Sequence, residues 1–454
     1  MAKAWRCEVC GYVHEGPEPP AECPACGAPA SAFAPVEPPA AAPAGAGGAA
    51  GRLVVIGGGI AGVSAAEAAR LAAPAAEVTL IAAEPDWPYY RLNLTRLLAG
   101  EIEADALPLH PAAWYAQQRI RPLTGVTVSA LRLDRRAVEL ASGETISFDR
   151  LILATGADAF LPPWPGNARA GVQVLRTLAD VRRVLDLLRP GLRCVCIGGG
   201  ILGLEAAGAL ARRGAQVDLL ASSDWLMPRQ LSRAGGEVLA RHVCGLGIRV
   251  HLAVTVREIA GAERAIGVML ADGATLPADL VLVTAGIRPR TALAAAAGLT
   301  VQQGVVVDDY LTTSHPDVFA AGDVAEHRRL VNGLWPAAQY QGQLAGLNAA
   351  GRRAAFGGLP RMNMLKVLGL HVFSIGAVAP PAGARVLEQM TADQYLHFVF
   401  QDHRLVGAMV IGREGLDAAL KKAVETGPDL SALLARTSTA AAFAAALAGQ
   451  PEKD

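Results

Sequence analysis

Aromatic side chains, an excess of either charge and long apolar runs are all scarce or missing in this sequence. Aromatic residues make up 5% of the 454 residues, and 41 acidic side chains balance 41 basic ones. This balance argues against nucleic acid or an anionic membrane as the main partner. No uninterrupted run of about 18 strongly apolar residues is present, so the sequence predicts no membrane span.

A secretion signal is also missing, because cysteines occupy the place of its apolar segment. The chain opens MAKAWRCEVC, whereas a signal peptide places an apolar run there. We therefore expect a cytoplasmic protein. In such a chain, paired cysteines indicate metal binding rather than disulfides.

Four cysteines near the N-terminus form two C-x-x-C pairs with twelve residues between them. They are Cys7, Cys10, Cys23 and Cys26. Two such loops can place four thiolates tetrahedrally around one metal ion, and tetrahedral sulfur ligation selects zinc or iron. The spacing indicates a metal site and leaves its metal open.

Residues 35–50 read PVEPPAAAPAGAGGAA and predict a semi-flexible linker. The segment has no large apolar side chain except Val36, so it cannot bury enough surface to fold. A chain of this length spans about 20–25 Å between its ends. This reach would let the cysteine module dock on the rest of the protein and leave it.

Two glycine-rich turns, each between an apolar strand and a helix, predict two dinucleotide sites. The glycines of the first motif are Gly57, Gly59 and Gly62, and those of the second are Gly198, Gly200 and Gly203. In such motifs the first glycine allows the turn, the second admits the pyrophosphate and the third lets the helix pack on the strand. The two motifs lie about 140 residues apart.

An acid after the second strand of each unit should bind a ribose. We assign Glu84 to the first ribose, although a solvated loop carboxylate is the alternative. After the other strand, Ala221, Ser222 and Ser223 replace the usual acid. We expect NADH rather than NADPH, because no basic residue follows this strand within five positions.

The predicted fold class is α/β, with two Rossmann-like dinucleotide-binding domains and a small α+β C-terminal domain. We expect the first dinucleotide-binding domain at 51–160 and 288–360, and the second at 161–287. The cysteine module occupies 1–34, the C-terminal domain 361–430 and a helical tail 431–454. Strand-rich segments such as DQYLHFVFQDHRLVGAMVIG indicate the C-terminal domain.

Several motifs together resemble known families. WRCEVCGYVHEGPEPPAECPACGAPASAF resembles the rubredoxin-like module of the rubrerythrin type. ATGADAFLPPWPG at 154–166, TTSHPDVFAAGDVAE at 312–326 and KVLGLHVFSIGA at 366–377 resemble the FAD-dependent pyridine nucleotide oxidoreductases. Within that superfamily the resemblance is to the NADH:rubredoxin oxidoreductase and nitrite reductase flavin-domain branch, over roughly 52–425.

The resemblance implies cofactors and further site residues. It implies FAD in the first dinucleotide site, NAD(P)H in the second and one iron on the four cysteines. It implies that Glu205, in GLEAA, orients the nicotinamide beside the flavin; an exposed helix carboxylate is the alternative. The FAD-binding residues that it adds are Arg91, Thr155, Gly156, Gly322 and Asp323.

Thiol chemistry at the flavin is not expected, because no cysteine lies between Cys26 and Cys194. The disulfide reductases of the superfamily need a cysteine pair near the first glycine motif. Cys194 and Cys196 lie on an apolar strand and are expected to pack in the core.

We therefore expect an oxidoreductase that passes electrons from NAD(P)H through FAD to its own iron, held by the four cysteines of the module. Its onward acceptor would be a soluble redox protein such as a rubrerythrin or a flavodiiron protein. One alternative keeps the reductase but makes the module a structural zinc ribbon, with free rubredoxin or a nitrite-reducing subunit as acceptor. Another is a flavoprotein that senses nicotinamide and is not an enzyme.

Overall fold

The computed structural model describes residues 4–9, 12–23, 28–36, 51–365 and 368–449. Most of the predicted linker therefore lies outside the described residues. The N-terminal module forms a three-stranded antiparallel sheet in the order β2-β1-β3. Its strands are β1 (Ala4–Cys7), β2 (Val13–Glu15) and β3 (Phe33–Val36).

Strand β3 continues two residues past the predicted start of the linker. Pro35 pairs with Trp5 and Val36 pairs with Ala4. An edge strand tolerates proline because its outer side needs no hydrogen-bond donor. The end of the module is therefore longer than the sequence predicted.

The first dinucleotide-binding unit begins with a strand, a glycine turn and a helix, as the sequence predicted. Its elements are β4 (Arg52–Ile56), α1 (Ile60–Ala72), β5 (Glu77–Ala82), α2 (Leu94–Ala99), α3 (Ala112–Gln117), β6 (Ile120–Thr124), β7 (Val128–Arg132), β8 (Ala137–Leu140), β9 (Thr145–Ser147) and β10 (Arg150–Leu153).

The second unit repeats this pattern. Its elements are β11 (Ala157–Ala159), β12 (Val172–Val174), α4 (Leu178–Leu187), β13 (Arg193–Ile197), α5 (Ile201–Arg212), β14 (Gln216–Leu220), α6 (Arg233–Gly245), β15 (Arg249–His251), β16 (Val256–Gly261), β17 (Ala265–Leu270), β18 (Thr275–Pro277), β19 (Leu280–Val283) and β20 (Ile287–Pro289).

The chain then returns to the first unit and adds a strand to its sheet. The returning elements are α7 (Ala292–Ala296), β21 (Val305–Val307), β22 (Val318–Ala320), β23 (Ala325–His327) and α8 (Trp335–Ala349). The first parallel sheet has the order β22-β10-β4-β5-β6, and the second has the order β12-β19-β13-β14-β15. In each sheet the glycine turn follows the central strand, where the strand order reverses and ligands bind in such folds.

The C-terminal part contains an antiparallel sheet in the order β24-β25-β28-β27-β26 with helices beside it. Its elements are β24 (Met362–Leu365), β25 (Val372–Gly376), β26 (Arg385–Met390), β27 (Tyr395–Gln401), β28 (Arg404–Ile411), α9 (Asp417–Thr426), α10 (Ser431–Leu434) and α11 (Ala440–Leu447). The helical tail packs against this sheet, because Phe443 is fully buried beside Phe398 and Phe400.

The predicted α/β class and the α+β character of the C-terminal part agree with this architecture. Separate apolar cores support the two parallel sheets, the C-terminal sheet and the N-terminal module. Among the described residues, no helix combines the length and the apolarity needed to cross a bilayer.

Candidate functional site

The first glycine turn joins β4 to the N-terminus of α1. Gly57 has a φ of +125°, and a Cβ there would lie 2.0 Å from the carbonyl oxygen of Ala154. A Cβ on Gly62 would lie 1.8 Å from the carbonyl oxygen of Gly57. Gly59 differs, because a Cβ there would meet no atom within 4 Å. The space beside Gly59 at the start of α1 is therefore open, and a helix N-terminus is where a pyrophosphate binds in such folds.

The second glycine turn, between β13 and α5, has the same geometry. Gly198 has a φ of +135°, and a Cβ on Gly203 would lie 1.8 Å from the carbonyl oxygen of Gly198. Gly200 again has nothing within 4 Å of its Cβ position. Each turn therefore has two glycines that the fold itself needs and a middle one that it does not.

Glu84 lies two residues after β5 and is bound within the protein. Tyr89 donates its hydroxyl hydrogen to Glu84 at 2.6 Å, and the Arg91 guanidinium donates to the other oxygen at 2.6 Å. Burial and the neighbouring carboxylate raise the pKa of Tyr89 above its ordinary value, so the phenol keeps its proton. Glu84 is therefore not the solvated loop carboxylate of the alternative interpretation.

Arg91 connects this cluster to the second FAD motif. It donates to the backbone oxygen of Arg176 at 2.5 Å, and the Arg176 guanidinium donates to Asp323 at 2.7 Å. The backbone N–H of Gly322 donates to the side-chain oxygen of Gln341 at 2.9 Å. Among the described residues the amide nitrogen of Gln341 has no partner, although that side chain is fully buried. A buried donor of this kind needs an acceptor.

Thr155 and Gly156 lie where the chain crosses from the first unit to the second. The Thr155 hydroxyl donates to the Arg290 oxygen at 3.1 Å, and the Arg290 N–H donates to the Gly156 oxygen at 2.9 Å. Strands β11 and β20, which follow the two crossings, pair antiparallel. Both crossings are therefore held together beside the first glycine turn, since Ala154 contacts Gly57.

Glu205 lies on α5 and is only 6% exposed, so the alternative of an exposed helix carboxylate is wrong. The hydroxyl of Thr95, on α2 of the first unit, donates to it at 2.7 Å. This hydrogen bond crosses from one dinucleotide-binding unit to the other.

Cys194 and Cys196 are buried in the core of the second unit with their sulfur atoms 3.8 Å apart. The neighbouring Cys196 sulfur and burial both raise the pKa of Cys194. A protonated, buried thiol is a poor nucleophile, so the expected packing role fits. Cys244, in contrast, is exposed.

Cys7 and Cys23 lie fully buried in the small core of the module. The two cysteine loops close alike, because Cys7 N–H donates to Tyr12 oxygen and Cys23 N–H to Ala28 oxygen, both at 2.7 Å. Cys10 and Cys26 lie outside the described residues, so the geometry of the predicted four-thiolate site is not described.

The module packs on the rest of the chain. Tyr90 of the first unit and Met362 and Met364 of the C-terminal sheet contact the module core. A guanidinium nitrogen of Arg96 also lies 3.5 Å from the carboxylate of Glu22. The module that carries the predicted metal ligands therefore contacts the unit that carries the first glycine turn.

Sequence reasoning missed four contributors to this site: Thr95, Arg176, Gln341 and Tyr90. Thr95 and Tyr90 lie within four residues of Arg91, which the resemblance indicated, but their own contacts were not predicted. Arg176 and Gln341 act through partners at least 19 residues away along the chain, and no local pattern indicates such pairs.

Comparisons with known families match almost all of the described chain. The model of the pyridine nucleotide-disulphide oxidoreductases matches residues 51–342. That of the rubrerythrin, rubredoxin-like domain matches residues 5–34, and that of the rubredoxin NAD+ reductase C-terminal domain matches residues 362–428. These matches confirm the resemblance that the motifs indicated.

Two curated proteins illustrate the similarity. The chain is 31% identical to the nitrite reductase [NAD(P)H] of Bacillus subtilis (strain 168), over 84% of this chain and 48% of that protein. It is 28% identical to the NADH-rubredoxin oxidoreductase of Clostridium acetobutylicum, over 83% of this chain and 94% of that protein. The chain spans about half the length of the nitrite and nitrate reductase proteins that it matches.

Solved structures give the same result. The NADH:rubredoxin oxidoreductase structure from Clostridium acetobutylicum superimposes with a TM-score of 0.70 at 28% identity, covering 86% of this chain and 98% of that one. The covalent putidaredoxin reductase–putidaredoxin complex gives a TM-score of 0.78 at 25% identity, covering 86% and 96%. The predicted fold class is therefore confirmed, and the matches favour an enzyme over a nicotinamide sensor.

Proposed function

Because this chain belongs to the pyridine nucleotide-disulphide oxidoreductase family, and is thereby an FAD-dependent oxidoreductase, we propose that it moves electrons from NAD(P)H to its own iron. The observation that carries this proposal is the packing of a rubredoxin-like module against the first dinucleotide-binding unit within one chain. When bound, FAD supplies the conversion between a two-electron hydride donor and a metal that takes one electron.

The residues around the first glycine turn fit FAD. We assign the pyrophosphate to the open space beyond Gly59. We assign Arg91 and Asp323 to the same cofactor, because Arg176 is hydrogen-bonded to both of them. The unpartnered amide of Gln341 supports this assignment, since it lies at the Gly322 turn and needs an acceptor. The remaining residues of the proposed FAD site are Gly57, Gly62, Glu84, Thr155, Gly156 and Gly322.

The second turn fits the nicotinamide dinucleotide. We assign Gly198, Gly200 and Gly203 to its pyrophosphate, and Glu205 to the orientation of the nicotinamide ring. Thr95 holds the Glu205 carboxylate at 2.7 Å and so fixes its position between the two units. We propose NADH as the preferred donor, because no basic residue follows β14 within five positions.

The proposed iron ligands are Cys7, Cys10, Cys23 and Cys26. A set of four thiolates suits iron or zinc by its chemistry. The location of two of these cysteines in a core that touches the FAD unit favours the redox metal. A reducing compartment such as the cytoplasm would keep the thiols free for the metal. We propose a rubrerythrin, a flavodiiron protein or a similar redox protein as the onward acceptor.

Metal analysis with visible spectroscopy tests this function. The purified chain should contain one iron and show thiolate-to-Fe(III) absorbance beside that of the flavin. Cys7→Ser should abolish the iron bands, and the flavin bands of the same sample serve as the control for folding. Stoichiometric zinc in protein from a host with adequate iron would contradict the proposal and favour a structural ribbon.

A further inference from the structure

Three aromatic rings form a continuous contact from the module to the first unit. The rings of Tyr12 and Tyr90 meet edge to face with centroids 5.7 Å apart. The ring of Tyr90 then stacks on Trp335 with centroids 5.8 Å apart and an interplanar angle of 29°. Such spacings are those of favourable aromatic pairs. We call these three residues the aromatic bridge.

The module end of the bridge is attached to the first cysteine loop. The backbone N–H of Cys7 donates to the carbonyl oxygen of Tyr12 at 2.7 Å. The Tyr12 ring also packs on the core that contains Cys7 and Cys23, and it contacts Phe33 edge to face. The Tyr12 ring therefore contacts the core that contains two of the proposed metal ligands.

The other end of the bridge lies at the proposed FAD site. Tyr90 immediately precedes Arg91, which binds Glu84 and the backbone of Arg176. Trp335 begins α8, the helix whose Gln341 side chain accepts a hydrogen bond from Gly322. Tyr90 and Trp335 therefore belong to the same two segments of the first unit that carry residues assigned to FAD.

Apolar contacts from the C-terminal sheet also hold the module in this position. Met362 and Met364 pack on both the core of the C-terminal sheet and the core of the module. Tyr90 likewise packs on both the core of the first unit and that of the module. The C-terminal sheet and the first unit therefore both contact the module, and Tyr90 is an apolar contact from the first unit.

We propose that the aromatic bridge is the contact through which the iron receives electrons, and that Tyr90 is its positioning residue. This inference rests on the proposed function. NADH gives a hydride, and thus two electrons, to FAD and leaves as NAD+. One electron then reduces Fe(III) to Fe(II), and an external one-electron acceptor protein must reoxidise the iron before the second electron follows. Neither tyrosine nor tryptophan is itself oxidised; the rings fill the gap and fix its width.

Tyr90→Ala, with Tyr90→Phe as the matched control, tests the bridge in the full-length holoprotein. Anaerobic mixing with NADH separates flavin bleaching from iron bleaching. Tyr90→Ala should slow iron bleaching by about tenfold or more, since small displacements of reacting centres have large effects on rate. Tyr90→Phe keeps both ring contacts and should react like the unmodified chain. Equal iron bleaching in Tyr90→Ala would overturn the inference.

A measurement that needs no turnover tests the same contact. The chain is labelled with 5-fluorotryptophan, and its fluorine NMR spectrum is recorded with Fe(III) and with zinc in the module. The Trp335 signal, assigned with Trp335→Phe, should be broadened by the paramagnetic iron and sharp with zinc. In Tyr90→Ala the broadening should weaken. An equally sharp Trp335 signal with both metals in the unmodified chain would overturn the inference.

The proposed function and the aromatic bridge can be refuted separately. If NADH bleaches the flavin of the unmodified chain but never bleaches its iron, the proposed function is wrong, and so is the role of the aromatic bridge. If the unmodified chain reduces its iron and the alanine variant does so equally fast, only the bridge is wrong.

Discussion

At the residue scale, the middle glycine of each turn, Gly59 or Gly200, can be tested for ligand binding without disturbing the fold. Gly59 and Gly200 have φ values of −78° and −88°, which any residue adopts. A methyl group on either would meet no protein atom within 4 Å, but it would occupy the space that we assign to a pyrophosphate.

We therefore predict that Gly59→Ala and Gly200→Ala fold normally and lose different ligands. Gly59→Ala should be purified with little FAD. Gly200→Ala should retain FAD but need about tenfold or more NADH for half-maximal flavin reduction, equivalent to at least about 1.4 kcal/mol of binding energy. Thermal unfolding of the apoproteins provides the control, and a large loss of stability in either would contradict the geometry.

Glu205 gives a second prediction at this scale. Glu205→Gln keeps an oxygen for the Thr95 hydroxyl but replaces the carboxylate with a neutral amide, so flavin bleaching by NADH should slow by about tenfold, since a hydrogen bond to a neutral group is about 1–1.5 kcal/mol weaker than one to a charged group. Thr95→Ser keeps the donor and is the matched control. Unchanged bleaching in Glu205→Gln would remove this residue from the proposed catalytic site.

His110 predicts a pH effect on stability. Burial lowers its pKa from 6.5 to about 4, and its ring stacks on Trp114 at 3.7 Å. Between pH 6.5 and about pH 4, His110 binds a proton in the unfolded chain but stays neutral in the folded chain. The free energy of unfolding should therefore fall as the pH drops from 7 to 5. His110→Phe should show a smaller fall over this range in chemical denaturation. An identical fall would contradict the assignment.

At the element scale, the strand–turn–helix units were predictable and the contacts between elements were not. The second strand of each unit, β5 and β14, forms as expected, because buried parallel strands are continuous apolar runs. The partners of Glu84 lie within seven residues of it, and one of them, Arg91, was predicted. The partner of Glu205 lies 110 residues away on a helix of the other unit, and no local pattern encodes it. The predicted domain boundaries stay predictions, apart from β3, which continues to Val36.

The C-terminal tail is an element whose role only the structure revealed. Phe443 of α11 lies 5.0 Å, centroid to centroid, from both Phe398 and Phe400. We predict that Phe443→Ala lowers the free energy of unfolding by about 3–5 kcal/mol, as for other large-to-small core substitutions. Ala446→Ser, at an exposed position of the same helix, is the control and should change stability little. A small effect of Phe443→Ala would mean that the tail is dispensable.

At the scale of the whole molecule, the contacts that the described residues of the module make with the rest of the chain are mainly apolar. The ion pair between Arg96 and Glu22 involves a carboxylate that is 57% exposed, and such pairs contribute about 0–1 kcal/mol. Glu22→Gln and added salt should therefore change the rate of iron bleaching by less than about fivefold. A steep dependence on salt would show that electrostatic attraction controls docking.

The central claim is that electrons travel from NADH through FAD to iron within one chain. Anaerobic stopped-flow mixing with NADH over a range of protein concentrations tests it most directly. We predict flavin bleaching followed by iron bleaching whose rate does not change with protein concentration, because donor and acceptor share one molecule. Iron that stays oxidised beside a bleached flavin, or an iron phase that accelerates in proportion to protein concentration, would contradict the account.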